Sequence, residues 1–321
     1  MLAHTVIQGA GSNTLRPVEV STPNPGPGQV TIDVAFAGIG LIDAFWTSGF
    51  MPSGPDFVPG LEVSGTIREL GEGVTGFSVG DPVAAILLGA GGFAEVACVP
   101  ATHVAAVPQG LSLEMAAVTA VNTVTAHLAL TRSARFEPQD SMLVHAGVGG
   151  LGSQFAQVAQ ALGATHVDAV AGTEEKRGLA QHLGYRSAYL RSEIGRIPEG
   201  AYDVVIDPVG GEATEIGFRA LRNGGRLVRV GNASQSPDVQ LSSLAHWLEN
   251  KTTTGFNVGA WLSSYPEHAA ESLRWSLDAV ASGAIKVDLT RVGMPDELPE
   301  MLAELERGET TGKLAVQMRR A

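Results

Sequence analysis

The residues able to do chemistry are concentrated in one stretch, Ser141 to Gly163, which reads S-M-L-V-H-A-G-V-G-G-L-G-S-Q-F-A-Q-V-A-Q-A-L-G. Within it Gly147, Gly149 and Gly152 stand at G-x-G-x-x-G spacing. In that pattern the first glycine permits a tight turn, the second lets the backbone approach a pyrophosphate, and the third lets a helix pack closely on a strand. The flanks agree. Met142 to His145 is a short apolar run that predicts a strand, and Ser153 to Leu162 carries apolar residues at helical spacing, closed by Gly163. A pyrophosphate held here lies at a helix N-terminus, where free N–H groups and the helix dipole favour an anion. Gly147 to Gly152, with Val148, Gly150 and Leu151 between the glycines, are therefore expected to bind a dinucleotide.

The kind of dinucleotide is decided at the end of the next strand, predicted over Thr165 to Ala171. An Asp or Glu at that end takes the ribose 2′-hydroxyl of NAD. Here Gly172 and Thr173 hold the position, and Lys176 projects from the first turn of the following helix. Thr173 and Lys176 offer a donor and a positive charge to a 2′-phosphate, although Glu174 and Glu175 weaken the field. NADPH is the expected cofactor. No other constellation competes, because no Ser-His-Asp or Cys-His arrangement has a persuasive spacing. The eight histidines include no H-x₃-H pair, and the single Cys98 excludes both an intramolecular disulfide framework and a cysteine zinc cluster.

Positioning such a site takes a large scaffold, and 321 residues with 44% hydrophobic composition allow one or two substantial cores. The net charge of −12 argues against nucleic acid or an anionic membrane as partner. Val83 to Val99 is the most apolar window, but Gly89, Gly91, Gly92 and Glu95 interrupt it. No secretory signal is evident at the N-terminus, so a soluble cytoplasmic protein is expected.

Residues 1 to about 112 read as short strands and turns, including an alternating strand over Gln29 to Ala37 and glycine-punctuated strands over Gly60 to Val83. Ser112 to Leu130 predicts one helix. From Asp140 strand and helix alternate: a helix over Glu174 to Leu183, a strand over Asp203 to Asp207, a helix over Glu212 to Leu221 and a strand over Arg226 to Val230. Such a series implies a doubly wound parallel sheet. Lys251 to Val258, with three adjacent threonines, predicts an edge strand poorly protected by charge, through which a homodimer is expected. A helix over Pro266 to Ala281, a strand near Ile285 to Leu289 and a last helix and strand are too few for a third domain.

Four ordered segments resemble the medium-chain dehydrogenase/reductase superfamily, in its zinc-free quinone oxidoreductase branch. Gly60-x-Glu62-x-x-Gly65 with Gly71, Gly80 and Asp81 is similar to the G-x-E-x-x-G…G-D-x-V signature, and Leu143-Val144-His145-Ala146 to the strand before the glycine turn. Asp203 to Gly211 is similar to D-V-V-x-D-x-V-G-G, and Gly308 to Val316 to the closing G-x-x-x-G-K segment. Gly147-Val148 departs from the Ala-Ala of the narrow quinone reductase signature. The resemblance implies a Rossmann doubly wound sheet over 123–261 and a GroES-like, partly open β-barrel catalytic domain over 1–122 and 262–321. The three catalytic zinc ligands of related enzymes fall on Gly40, Leu61 and Val121, none of which can bind metal.

What the resemblance further implies is an NADPH-dependent reductase of quinones or related α,β-unsaturated carbonyls. Its alternatives are an enoyl-thioester reductase and a non-catalytic NADPH-binding protein of crystallin-like or regulatory kind. Arg191 then joins the 2′-phosphate site, and Val209, Gly231, Phe256, Asn257 and Lys313 line the cofactor. Asp43 has two readings: it orients a substrate or the nicotinamide amide, or it bonds to a neighbouring loop. Asn122, Thr123 and Thr125 are placed toward the nicotinamide. Phe45, Trp46, Phe50 and Phe57 serve either as core or as the wall of a flat apolar substrate site. No Tyr precedes residue 185, so the Tyr proton donor of enoyl-thioester reductases has Phe45 and Phe50 in its place.

Overall fold

The computed structural model describes residues 1–9 and 13–319. β1 (Leu2–Ile7) and β2 (Thr14–Glu19) form an antiparallel hairpin. β3 (Gln29–Ile39), α1 (Leu41–Ser48), β4 (Glu62–Leu70), β5 (Pro82–Ile86), β6 (Val96–Pro100) and β7 (Val104–Ala106) follow, then α2 (Leu113–Thr119) and α3 (Asn122–Leu128). An alternating series comes next: β8 (Ser141–Val144), α4 (Gly152–Ala161), β9 (His166–Ala171), α5 (Glu174–Leu179) and β10 (Ser187–Leu190). It continues with β11 (Tyr202–Asp207), α6 (Glu212–Ala220), β12 (Leu221–Arg229), α7 (Ser243–Leu248) and β13 (Thr252–Gly255). The last elements are α8 (Val258–Ser264), α9 (Glu267–Ala281), β14 (Leu289–Gly293), α10 (Leu298–Glu306) and β15 (Lys313–Gln317). They make two compact units: Met1–Val124 with Leu262–Gly283 and the chain from Val287 onward, and Thr125–Trp261 with Ala284–Lys286.

β3 organises the first unit. Its first half pairs antiparallel with β6 (Ile32 opposite Ala97), its second half with β15 (Ala37 opposite Val316), and β4 runs along its other edge. The sheet order is β14-β15-β3-β4-β5-β7. Inward residues alternate along the strands and meet in a core of Val30, Ile32, Val34, Val63, Ile67, Val83 and Phe93. A Cβ on Gly65 would overlap the Asp33 carbonyl oxygen, so only glycine lets β4 cross β3 this closely.

The second unit is a parallel six-stranded sheet of order β10-β9-β8-β11-β12-β13. From the central β8 the chain winds outward through β9 and β10, then returns and winds the other way through β11 to β13. The direction reverses between β8 and β11, the point where doubly wound sheets bind ligands at the C-terminal ends of their strands. Met142, Leu143 and Val144 on β8, and Val204, Val205 and Ile206 on β11, are fully buried, as strands covered on both faces require.

Several elements differ from their sequence expectation. The single helix over Ser112 to Leu130 is broken at Ala120–Val121. Ser112 does cap its start, accepting the Met115 N–H, but Glu62 on β4 accepts the N–H of Val121 (2.7 Å), which a continuous helix would keep for itself. α5 stops at Leu179 and continues as a 3₁₀ turn over Ala180–Leu183. β12 begins at Leu221 rather than Arg226, with a register shift against β11 and Gly224 at φ +79°. The strand near Ile285 is displaced to Leu289–Gly293, where β15 offers it a partner. The edge strand ends at Gly255, because the Asn257 side-chain Oδ1 accepts the Ala260 N–H and a helix starts at Val258. No single helix among the described residues is long and apolar enough to cross a membrane.

Candidate functional site

The glycine turn leaves β8 at the reversal point of the sheet. His145 N–H bonds to Ile206 C=O and Gly147 N–H to Val170 C=O (both 3.0 Å), which pins the turn between β11 and β9. Ala146 sits at φ +50° and accepts the Gly149 N–H. A Cβ on Gly152 would overlap the Ala146 carbonyl and come within 2.8 Å of Gly147 Cα, so the third glycine is what brings α4 onto the turn. A Cβ on Gly149 would meet only the Ala146 oxygen, at 3.3 Å, so the second glycine faces open space. No side chain caps α4 at its N-terminus, and Val148 is buried while Gly150 and Leu151 are half-buried. A bare helix N-terminus behind an open glycine suits a phosphate anion. The residues present fit a dinucleotide pyrophosphate.

At the end of β9 the Thr173 hydroxyl oxygen caps α5, accepting the Lys176 N–H (3.2 Å), and its O–H remains available as a donor. The Arg191 guanidinium overhangs Gly172: a Cβ there would stand 3.3 Å from its Nη2. Burial pushes the Lys176 ammonium below its ordinary pKa, Glu175 opposes this, and the nearby Arg191 charge adds to it. Two of the neighbouring acids are engaged elsewhere, Glu174 on Arg177 (2.7 Å) and Glu193 on Arg196 (2.7 Å). Arg191 has no ion pair among the described residues. Asp168, the acid of this strand, lies mid-strand and buried, with Arg186, Ser187 and Tyr202 donating to it. Those bonds outweigh its burial and hold it below the usual carboxylate range.

The loops after β11 and β12 complete this end of the sheet. Asp207 accepts from the N–H groups of Val209 (2.8 Å) and Gly210 (2.9 Å) and from the Thr214 hydroxyl, and pairs with Arg229 at 3.2 Å. It thereby shapes the turn that carries Val209. Gly231 is close to Pro208, whose carbonyl oxygen a Cβ would approach to 3.1 Å. Burial pushes the adjoining His145 down to about 4, against the pull of Asp207, so its imidazole is neutral. Phe256 is buried against Trp261 (5.7 Å between rings), and Asn257 is exposed. The sequence reading missed the Asp207–Thr214–Arg229 network, whose only local signal is the D-P-V-G-G turn.

In the first unit Asp43 makes the loop bonds of its second reading. It is 1% exposed, and its oxygens accept from Gly40 N–H and Gly60 N–H (2.9 Å each), joining the start of α1 to the loop before β4. Burial pushes its carboxyl up to about 7, against the pull of these two N–H groups. Glu62 is buried beside it, accepting from Val121 N–H and from the Lys313 ammonium, which also donates to Ile39 C=O. Lys313, expected at the cofactor, is 3% exposed, and its charge is spent inside the first unit. Asn122 and Thr125 lie three apart on α3, on one face of that helix. Of the aromatic group, Phe45 is buried, Trp46 and Phe57 are half-buried and edge-to-face (4.9 Å), and Phe50 is 48% exposed against Phe45. Among the described residues no three His, Cys, Asp or Glu side chains converge as a metal site.

Two family models match the chain: the alcohol dehydrogenase GroES-like domain over residues 26–109 and the zinc-binding dehydrogenase over residues 150–275. A quinone oxidoreductase from Pseudomonas syringae pv. tomato DC3000 has a similar structure (TM-score 0.88, 25% identity, 99% of this chain and 100% of that one). So has an Escherichia coli quinone oxidoreductase complexed with NADPH (TM-score 0.87, 25% identity, 98% and 99%). The synaptic vesicle membrane protein VAT-1 homolog of Danio rerio is 27% identical over 334 residues, covering 96% of this chain and 68% of the relative. Fold, glycine turn and these likenesses agree: the chain is an oxidoreductase and belongs to the medium-chain dehydrogenase/reductase superfamily, in its quinone oxidoreductase-like branch.

Proposed function

We propose that this protein is an NADPH-dependent, zinc-independent reductase of quinones or related α,β-unsaturated carbonyl compounds, working as a cytoplasmic homodimer. The observation that carries the reading is the pairing of an open glycine turn with two cations, Lys176 and Arg191, beside Gly172 at the end of β9. An Asp or Glu at position 172 would meet Arg191, whereas a 2′-phosphate finds there a guanidinium, an ammonium and the Thr173 hydroxyl. The Escherichia coli relative was solved with NADPH, which supports the same choice.

Bound in this turn, NADPH supplies a hydride to an electron-poor carbon of the acceptor. The chain's own part is to hold the pyrophosphate on the turn and the 2′-phosphate on Lys176 and Arg191. Asn122 and Thr125 offer polar groups toward the nicotinamide end. The aromatic group Phe45, Trp46, Phe50 and Phe57 suits a flat, apolar acceptor and carries no ionisable proton donor. An acceptor that is already electrophilic needs none, which favours quinones and enones over enoyl thioesters. Gly40, Leu61 and Val121 at the zinc-ligand positions support independence from metal.

The homodimer reading rests on β13. It is the last strand of the sheet, with Thr252, Thr253 and Gly255 exposed, and α7 beside it leaves Leu244, Trp247 and Leu248 57%, 73% and 60% exposed. A second copy of β13, antiparallel across a two-fold axis, pairs the free edge and covers apolar surface. The cofactor reading is tested by titrating the purified protein with NADPH and NADH. Tighter NADPH binding supports it, and indifferent binding of the two contradicts it.

A further inference from the structure

We propose that Tyr185 is a positioning residue for the dinucleotide turn, holding its first glycine by packing and its third by a hydrogen bond. The inference rests on the cofactor reading above. Tyr185 follows Gly184 (φ +92°) between the 3₁₀ turn Ala180–Leu183 and β10, and its N–H bonds to Ala180 C=O. It is 3% exposed. Its hydroxyl donates to the carbonyl of Gly152 at 2.7 Å, in the first turn of α4. A Cβ built on Gly147 would stand 2.9 Å from both Cζ and Oη of Tyr185, and 2.7 Å from Ala169 Cβ.

That contact explains the departure of Gly147 from the Ala of the quinone reductase signature. An alanine methyl at position 147 would meet both the phenol and the Ala169 methyl, and here those two groups fill the space. The ring reaches the turn from the β9 side, where Gly147 N–H is already tied to Val170 C=O. One side chain therefore braces the turn where it leaves β8 and where it enters α4. Burial keeps the phenol protonated, so the hydroxyl remains a donor throughout the working pH range. Without it the Gly152 carbonyl loses a buried partner, and a pyrophosphate must order the turn as it binds.

The test compares wild type with Tyr185→Phe, which keeps the ring, by calorimetric titration with NADPH, NADH and adenosine 2′-monophosphate. The Kd of both dinucleotides should rise by the same factor, about fivefold to tenfold for one buried hydrogen bond. Adenosine 2′-monophosphate has no pyrophosphate and relies on Lys176 and Arg191, so its affinity should not change. Unchanged dinucleotide affinity overturns the proposal. So does equal weakening of all three ligands, because that is the mark of a general structural defect. Wild type that binds no dinucleotide overturns the cofactor reading itself and this inference with it. A second cycle uses Gly147→Ala, which should weaken NADPH binding in the wild-type background and cost less beside Tyr185→Ala, where of the two contacts only Ala169 remains. Additive costs would contradict the shared volume.

Discussion

Removing the two cations beside Gly172 should change cofactor choice rather than cofactor binding in general. A hydrogen bond to a charged group contributes about 1.5–3 kcal/mol. Arg191 is exposed and Lys176 half-buried, so salt screens both, and the lower end of that range applies. Lys176→Ala or Arg191→Ala should then raise the Kd for NADPH about tenfold and leave NADH within about twofold. The double variant should lose less than the product of the two, because both side chains address one phosphate. Lys176 starts with its pKa lowered by burial and by Arg191, so a bound dianion pulls it back up, and its binding tightens with falling salt. Gly172→Asp should act in the opposite direction: its carboxylate would lie against Arg191, occupy it, and move the preference toward NADH. The assay is fluorescence titration with each cofactor at two ionic strengths. Equal weakening of NADPH and NADH, or no change in either, would mean that these side chains are solvated charges and the argument from β9 is wrong.

Four further outcomes are expected. Activity should survive prolonged chelation, with zinc far below stoichiometric by elemental analysis; stoichiometric zinc whose removal abolishes turnover would refute metal independence. Thr253→Pro removes an N–H from β13 and should convert a dimer to monomer in light scattering, whereas a wild type that is already monomeric would remove the basis for β13 pairing. Gly152→Ala forces a methyl into the Ala146 carbonyl and should abolish NADPH binding, a result that unchanged affinity would contradict. His145 has a folded pKa of about 4 against about 6.5 when unfolded, so the unfolded chain binds the extra proton and stability falls as pH drops through that window. His145→Gln should flatten the acid limb of melting temperature against pH, and an unaltered limb would show that other groups set it.

The glycine turn was legible in the sequence because its chemistry is local. Three glycines, a strand and a helix lie within one short stretch, and each does in the structure what its position demands. The parallel sheet was legible for a similar reason, since strands buried on both faces read as apolar runs. What escaped the sequence depends on residues far apart in the chain. Glu62 breaks the helix after Ser112 by taking the Val121 N–H across 59 positions, and no local pattern announces that. Asp43 keeps two readings in the sequence because Gly60, whose N–H donates to one of its oxygens, lies 17 residues on. Tyr185 gave no signal of its own, and only the anomalous Gly147 pointed toward a large neighbour. Lys313, expected at the cofactor, is paired with Glu62 across 251 positions, which no local pattern announces either.

The central claim is most directly tested by steady-state oxidation of NADPH over a panel of quinones, enones and enoyl thioesters, followed by nicotinamide absorbance in metal-free buffer with NADH in parallel. Turnover is expected with at least one quinone or enone, faster with NADPH than with NADH, and little with enoyl thioesters. NADPH that binds but is oxidised by none of these acceptors would contradict it and leave a nucleotide-binding protein without turnover.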